Sequence, residues 1–432
     1  METKLERIAD KSTHEPKPEF TSLYHLINKE LLMQCHRELD GSKAVGIDEV
    51  TKKEYGENLE QNIEGLVERL KRKSYKPQPS LRVYIPKSNG KLRPLGIASY
   101  EDKIVQLALK KVPEAIYEPR FLNCKYGFRP DRGCHGAVKE LYKRLNFTKI
   151  CYIVDADIKG FFDHMKHDWI MKFLNLYIKD PNILWLVNKY LKAGVMDEGK
   201  LVENEEGSAQ GNIISPILAN IYMHNVLTLW YKFIIAKESR GENFLIVYAD
   251  DFIAGFQYKW EAEKYYKLLK ERMEKFGLEL EESKSRMLES GGYLAKSKQK
   301  RGESTRLETF DFLGFTFYCG QTRKGTAWMM PKTSSKKFRQ KLKDIKVWLY
   351  ANRDQKLKKL MGMLNLKLTG HYRYYGVSFN GRMISNFKQQ VREMLFKVLN
   401  RRSNRKSYTR EGFIEMLKYY PLVMPKIYVS LF

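Results

Sequence analysis

The 432-residue sequence predicts an α+β fold, and three features predict it. The stretch 244–256, FLIVYADDFIAGF, reads as a hairpin whose two arms are apolar and whose tip carries Asp250 and Asp251. A second apolar stretch, CYIVDADIKGFFD (151–163), reads as a buried strand with acidic residues Asp155, Asp157 and Asp163. Residues 321–432 read as basic helices, with 26 Lys and Arg against 5 Asp and Glu.

The arms Phe244–Val247 and Phe252–Phe256 are rich in β-branched and aromatic residues, as strands are. Greasy arms belong in a core, and two adjacent carboxylates there are costly unless a cation neutralises them. A solvated turn is the ordinary reading of a DD pair. The apolar flanks and the second acidic strand argue against it. With no basic residue in 244–256, a hard divalent cation with oxygen ligands is the simplest partner. Asp157 is expected beside Asp250 and Asp251, the three holding two ions for an in-line phosphoryl transfer. Asp155, on the same strand face, is the alternative to Asp157.

Composition bounds the rest. With 27 Tyr, 22 Phe and 6 Trp, the chain can pack a sizeable core. No apolar run approaches the ~20 residues of a membrane span. The charged N-terminus lacks the apolar region of a signal peptide. Five scattered cysteines without a CxxC pair suit a reducing cytosol, so a cytoplasmic location is expected. A net charge of +27 points to a polyanion, and nucleic acid fits better than a membrane, because the basic helices carry tyrosines rather than a continuous apolar face.

From the N-terminus, residues 20–73 read as helical, with FTSLYHLINKELLMQCHREL (20–39) the clearest amphipathic run and Gly46 a break. LRVYIP and KLRPLGI then form a hairpin around SNG, carrying Arg82, Lys87, Lys91 and Arg93. Such a basic ribbon suits a triphosphate or a nucleic-acid backbone. A helix follows and ends before YGFRP (126–130), whose loop holds Arg129 and Arg132. Residues 165–195 read as helical, and GSAQGN (207–212) as a glycine-bracketed loop opening a helix at Ser215 and Pro216. Its glycines admit close approach of a base pair or ribose, and Gln210 can bond a groove edge. After the acidic hairpin comes a helix stopped by Gly277 and then a strand ending near Lys284. FDFLGFTF (310–317) reads as an aromatic strand pair, core or hinge. The tail interleaves Tyr372, Tyr374 and Tyr375 with charge, as a nucleic-acid groove does.

In order, IPKSNGKLRPLGI, YGFRP, DADIKGFFDH, GSAQGNIISPILANIY, YADD, LELEESKS and FDFLGFTF resemble a reverse transcriptase, and more narrowly the protein encoded by bacterial group II introns. LTGHYRYYGV and LNRRSNRKSYTREGF are similar to that family's thumb and maturase region. The resemblance implies a right-hand polymerase. Its parts would be an N-terminal extension with fingers (1–110), a palm with an antiparallel sheet and the remaining fingers (111–319), and a helical thumb/maturase region (320–432). It implies Asp157, Asp250 and Asp251 as catalytic metal ligands for two Mg²⁺ ions, with Mn²⁺ possible. It implies Lys87 and Arg93 on the dNTP triphosphate, Phe162 as the steric gate against a 2′-hydroxyl, and Gln210 in the nucleotide pocket. Arg129, Lys284, Lys336, Lys337, Tyr372, Arg373, Arg401 and Arg402 are the expected nucleic-acid contacts.

The expected partners are a structured, intron-like RNA, an RNA template with its DNA primer, and dNTPs. Two departures from the family pattern stand out. Ser208 and Ala209 replace the usual Thr-Pro before the glutamine, and no HNH segment with Cys and His ligands follows, so second-strand cleavage is not expected. A reverse transcriptase domesticated for phage defence or DNA repair is the first alternative. An RNA chaperone without polymerase activity is the second.

Overall fold

The computed structural model describes residues 2–86, 92–203, 205–208, 210–402 and 408–432. The α+β class is observed. The N-terminal third contributes α1 (Glu2–His14), α2 (Lys29–Glu38), α3 (Lys52–Glu57), α4 (Leu59–Lys71), the hairpin β1 (Ser80–Pro86) and β2 (Leu92–Ile97), and α5 (Tyr100–Tyr117). Helix α3 begins with a capping box, in which Thr51 and Glu54 satisfy each other's backbone N–H groups. The apolar run from Phe20 does not start as a helix. Asp180 Oδ2 accepts from the N–H groups of Leu23 (2.6 Å) and Tyr24 (2.8 Å), so only a 3₁₀ turn forms at Tyr24–Leu26 and α2 starts after the cap at Asn28. The helical run is interrupted between α2 and α3, and within that loop Gly46 packs where a Cβ would lie 2.5 Å from Ser99 Cα.

The middle of the chain supplies α6 (Cys134–Phe147), β3 (Tyr152–Ala156), α7 (Phe161–His164), α8 (His167–Leu174), α9 (Pro181–Leu191), β4 (Val195–Asp197) and β5 (Lys200–Val202). Helix α10 (Ser215–Met223) and short α11 (Ala236–Glu238) lead to β6 (Asn243–Tyr248), β7 (Asp251–Phe256), α12 (Lys259–Lys275) and β8 (Arg286–Glu289). Then come α13 (Gly292–Lys300), β9 (Phe310–Phe312), β10 (Phe315–Gln321), β11 (Ala327–Thr333), and the helices α14 (Ser335–Ala351), α15 (Leu357–Tyr375), α16 (Gly381–Leu399) and α17 (Arg410–Tyr419).

Strands β6-β7-β3-β8 form a central antiparallel sheet. Alternate side chains leave opposite faces of a strand. Leu245, Val247, Phe252, Ala254 and Val154 enter a core shared with α2, α4, α5 and α8–α10. Phe244, Ile246, Ile253, Ile153 and Leu288 enter a second core shared with α6, the β9–β11 sheet and α14–α17. Both faces are covered, which is why the two arms look uniformly apolar in sequence.

The expected β1–β2 hairpin pairs from Leu81↔Ile97 to Pro86↔Leu92. It shares a sheet with β4 and β5. The FDFLGFTF pair is β9–β10, and β10 runs on to Gln321 against β11, so an expected limit at 319/320 falls inside a strand. No described helix is long and apolar enough to cross a membrane.

Candidate active site

Strands β6 and β7 pair down to Tyr248↔Asp251, leaving Ala249 and Asp250 as the turn. Ala249 is left-handed (φ 57°), a conformation a Cβ makes costly. The turn is backed by Gly127, where a Cβ would collide with Ala249 N and lie 3.0 Å from Tyr248 C. Around Gly127, Tyr126 N donates to Val247 O (2.8 Å), Val247 N to Cys124 O (2.8 Å) and Asn220 Nδ2 to Gly127 O (2.9 Å). The YGFRP segment thus edges the sheet and fixes the acidic turn.

Pairing of β3 with β7 ends at Ala156↔Phe252. One step further puts Asp157 opposite Asp251, where antiparallel partners stand about 5 Å apart between Cα atoms. Asp155, Asp157 and Asp251 share the face turned toward the C-terminal helices. Asp157 N donates to Ser285 Oγ at 3.2 Å, and its carbonyl oxygen accepts from Glu281 N at 2.8 Å.

Burial pushes Asp251 up to about 7, with Asp250, Asp157 and Asp155 adding repulsion. Burial also raises Asp250, with Asp157 adding, while Arg93 and Lys284 offset it. Asp155 rises to about 6 through burial, offset by Arg286, whose Nε lies 4.0 Å from its Oδ2. Asp251 nonetheless opens onto the cleft described below, so water reaches it. Among the described residues, no three His, Cys, Asp or Glu side chains converge as a ready ligand set. Lys284 Nζ instead pairs with Asp157 Oδ2. The donor chemistry fits a hard divalent cation, because carboxylates whose ionised form is disfavoured by burial and repulsion are relieved by added positive charge.

Beside this cluster, the 207–211 loop bridges two elements. Ser208 N donates to Phe162 O and Gly96 N to Gln210 O, at 2.8 and 2.7 Å. Gly207 (φ 81°) and Gly211 (φ 118°) are required: a Cβ would sit 2.6 Å from Asp163 O or 2.5 Å from Gly96 O. Gln210 lines a 280 Å³ cavity with Arg82, Gly96, Asp163 and Glu206. Phe162 is half-buried, edge-on to Phe161 at 5.4 Å. Arg93 is exposed on β2 within electrostatic reach of Asp250. Lys87 lies outside the described residues, as does Ala209.

A larger cleft, about 810 Å³, lies between Asp251 and Asp311 on one side and Lys336, Lys337, Lys341, Lys367, His371 and Tyr374 on the other. It brings the expected Lys336 and Lys337 to the acidic cluster. Lys341, Lys367 and His371 escaped the sequence reading. Their signal was periodicity: 337/341 on α14 and 367/371/374 on α15 are single helical stripes. Arg373 and Arg401 are exposed, Arg401 bonding Tyr350 Oη at 2.9 Å. Arg402 donates to Gln355 O at 3.2 Å.

Two expected contacts and one expected position are corrected. The Arg129 side chain is 5% exposed and forks onto Glu118 (2.7 Å) and the carbonyls of Leu122 and Lys125, so it braces the core instead of facing a polyanion. Tyr372 is 0% exposed and packs in the second core. Lys284 does not end a strand: it sits in a turn before β8, committed to Asp157.

Residues 85–317 match the family "Reverse transcriptase (RNA-dependent DNA polymerase)", and the class that this fold and site define is the right-hand polymerase, with the antiparallel sheet as its palm. Residues 335–414, which span α14 to α16 and the start of α17, match the "Group II intron, maturase-specific domain". The chain therefore belongs to the reverse transcriptase family, in its group II intron reverse transcriptase/maturase branch. Over 235 residues it is 37% identical to the Group II intron-encoded protein LtrA of Lactococcus lactis subsp. cremoris, covering 53% of this chain and 39% of LtrA. It is 38% identical to Protein YkfC of Escherichia coli over 187 residues, covering 43% of this chain and 49% of YkfC. Nuclear intron maturase 1, mitochondrial, of Arabidopsis thaliana is 29% identical over 112 residues, covering 26% of this chain and 16% of the relative. The chain thus spans under half the length of each of these relatives.

Proposed function

We propose that the chain is an RNA-directed DNA polymerase encoded by a group II intron, which copies RNA into DNA and binds intron RNA to assist splicing and mobility. The observation that carries this reading is the junction at Asp251, where the acidic face of the palm opens directly into the lysine-lined cleft. A duplex in that cleft would lay its primer end at Asp157, Asp250 and Asp251, its phosphates meeting Lys336, Lys337, Lys341 and Lys367. An incoming dNTP would enter between Arg93, Gln210 and Phe162, with Lys87 reaching its triphosphate. Arg93 would take the phosphates as a planar fork, and Phe162 would crowd the sugar's 2′ position.

Asp157, Asp250 and Asp251 would hold two Mg²⁺ ions, which when bound activate the primer 3′-hydroxyl and offset charge on the departing pyrophosphate. The chain's own part is to hold the carboxylates on one sheet edge, exclude bulk water with Phe162 and the 207–211 loop, and align the primer. Fingers would span 1–110, the palm with the remaining fingers 111–319, and the thumb/maturase region 320–432. The exposed arginines Arg373 and Arg401 and the half-buried Arg402 at the thumb would contact RNA.

Primer extension on an RNA template with dNTPs and Mg²⁺ tests this. Asp250→Asn should lower extension about 10²–10³-fold, the scale of losing a principal transition-state contact, while RNA affinity stays within about twofold. Normal extension by that variant would end the reading.

A further inference from the structure

The lysines of the cleft account for phosphate, but one side chain on the same wall has different chemistry. His371 lines the cleft that opens at Asp251. It is 7% exposed, and among the described residues neither Nδ1 nor Nε2, both shielded from solvent, has a hydrogen-bond partner. Its ring lies flat on Phe387, 3.7 Å between centroids at 10°, and tilts over Tyr375 at 4.8 Å. The two aromatic rings set its plane, so only its nitrogen edges remain for bonding. A polar group buried without a partner is costly, which favours a ligand that completes it.

Burial pushes the imidazole down to about 4, with Lys341 adding to the drop, so the ring is neutral near pH 7. A neutral imidazole presents one donor and one acceptor. It is a poor match for phosphate, which the neighbouring ammonium groups bind better. It matches a hydroxyl, which also donates and accepts. On a nucleic-acid duplex the hydroxyl within reach of a cleft wall is the ribose 2′-OH, displayed in the shallow minor groove of A-form helices and absent from DNA.

We propose that His371 is a sugar-reading residue: its ring edge hydrogen-bonds, directly or through one water, a 2′-hydroxyl of the RNA strand in the template–primer duplex. The cleft then prefers an RNA–DNA hybrid to a DNA–DNA duplex of the same sequence. This rests on the cleft's role as the duplex channel in the polymerase reading.

The test reads binding, so it does not depend on catalysis. Fluorescence anisotropy would give Kd for the purified full-length chain on RNA–DNA and DNA–DNA duplexes. His371→Phe keeps the ring stack but removes both nitrogens, and His371→Gln keeps a donor and an acceptor. The loss of one hydrogen bond corresponds to about fivefold. His371→Phe should weaken hybrid binding about fivefold more than DNA–DNA binding, and His371→Gln should retain most of the preference. Equal weakening on both duplexes, or none, overturns the proposal.

Thermal melting reports whether the variants fold. Independently of any variant, single 2′-deoxy substitutions along the RNA strand should reveal one or two positions where the wild-type Kd rises, and a flat scan overturns the proposal. Failure of the wild type to extend a primer would count against the polymerase reading alone, because the Kd comparison stands apart from it.

Discussion

Lys284 and Asp157, 127 residues apart in the chain, meet as an ion pair between Nζ and Oδ2 at the edge of the palm sheet. The Asp157 carboxylate holds the Lys284 ammonium above its ordinary pKa, and Lys284 in turn offsets the raised values at Asp250 and Asp251. It stands where positive charge is needed most. A cation approaching Asp157 must compete with it.

The first prediction concerns that competition. Lys284 is 63% exposed, and pairs this open contribute up to about 1 kcal/mol, or about fivefold. Lys284→Met should therefore lower the Mg²⁺ midpoint of primer extension by up to about fivefold. An unchanged Mg²⁺ titration would show that the lysine does not compete at Asp157.

Proton linkage at Asp251 gives the second. Its folded pKa of about 7 stands above the ordinary aspartate value of about 4. Between those pH values the folded chain retains a proton that the unfolded chain has released, so stability without metal falls as pH rises. It is greatest below about pH 4 and stops falling above about pH 7. Asp251→Asn removes this dependence and should melt a few degrees higher than wild type at pH 8, with the gap closing near pH 4. Mg²⁺ should raise the wild-type melting temperature at pH 8 and not that of the variant. Melting curves at the two pH values, with and without Mg²⁺, check both statements.

Gly127 gives the third. A Cβ there meets the backbone of Ala249, which cannot move without disturbing Asp250. Gly127→Ala should cost about 1–3 kcal/mol in denaturant unfolding, as overpacking does. Extension by the fraction that remains folded should drop more steeply than RNA binding does. Proportional loss of both would reduce Gly127 to a general packing residue.

The cleft lysines give the fourth. Lys337→Ala and Lys367→Ala should each weaken duplex binding on any sequence. Each should reduce the slope of log Kobs against log salt by about 0.9, the value for one lost phosphate contact. Salt titrations of duplex affinity would show it, and an unaltered slope would place the duplex elsewhere.

Local pattern alone determined a good deal. The two apolar arms around Asp250 and Asp251, the acidic strand ending at Asp157, the basic β1–β2 hairpin and the glycine-bracketed loop at Gln210 were all legible. Each is written in side-chain period and turn chemistry over a dozen residues. The helical, basic character of the tail was legible in the same way. Charge and residue type said nothing reliable about direction, however. Arg129 and Tyr372 resembled polyanion contacts, yet one braces Glu118 and one fills a core, and Lys284, expected at a strand end, sits in a turn paired with Asp157.

Only the tertiary structure decided those three, and only it joined Asp251 to the stripe of Lys337, Lys341, Lys367 and His371. Strand register carried Asp157 across to Asp251, 94 positions further along the chain, and packing of α14–α16 on the far face of the sheet built the cleft wall. Local sequence encodes which face of an element is apolar. Which element then covers that face depends on long-range packing, because many partners are equally apolar and only one arrangement buries them all at once.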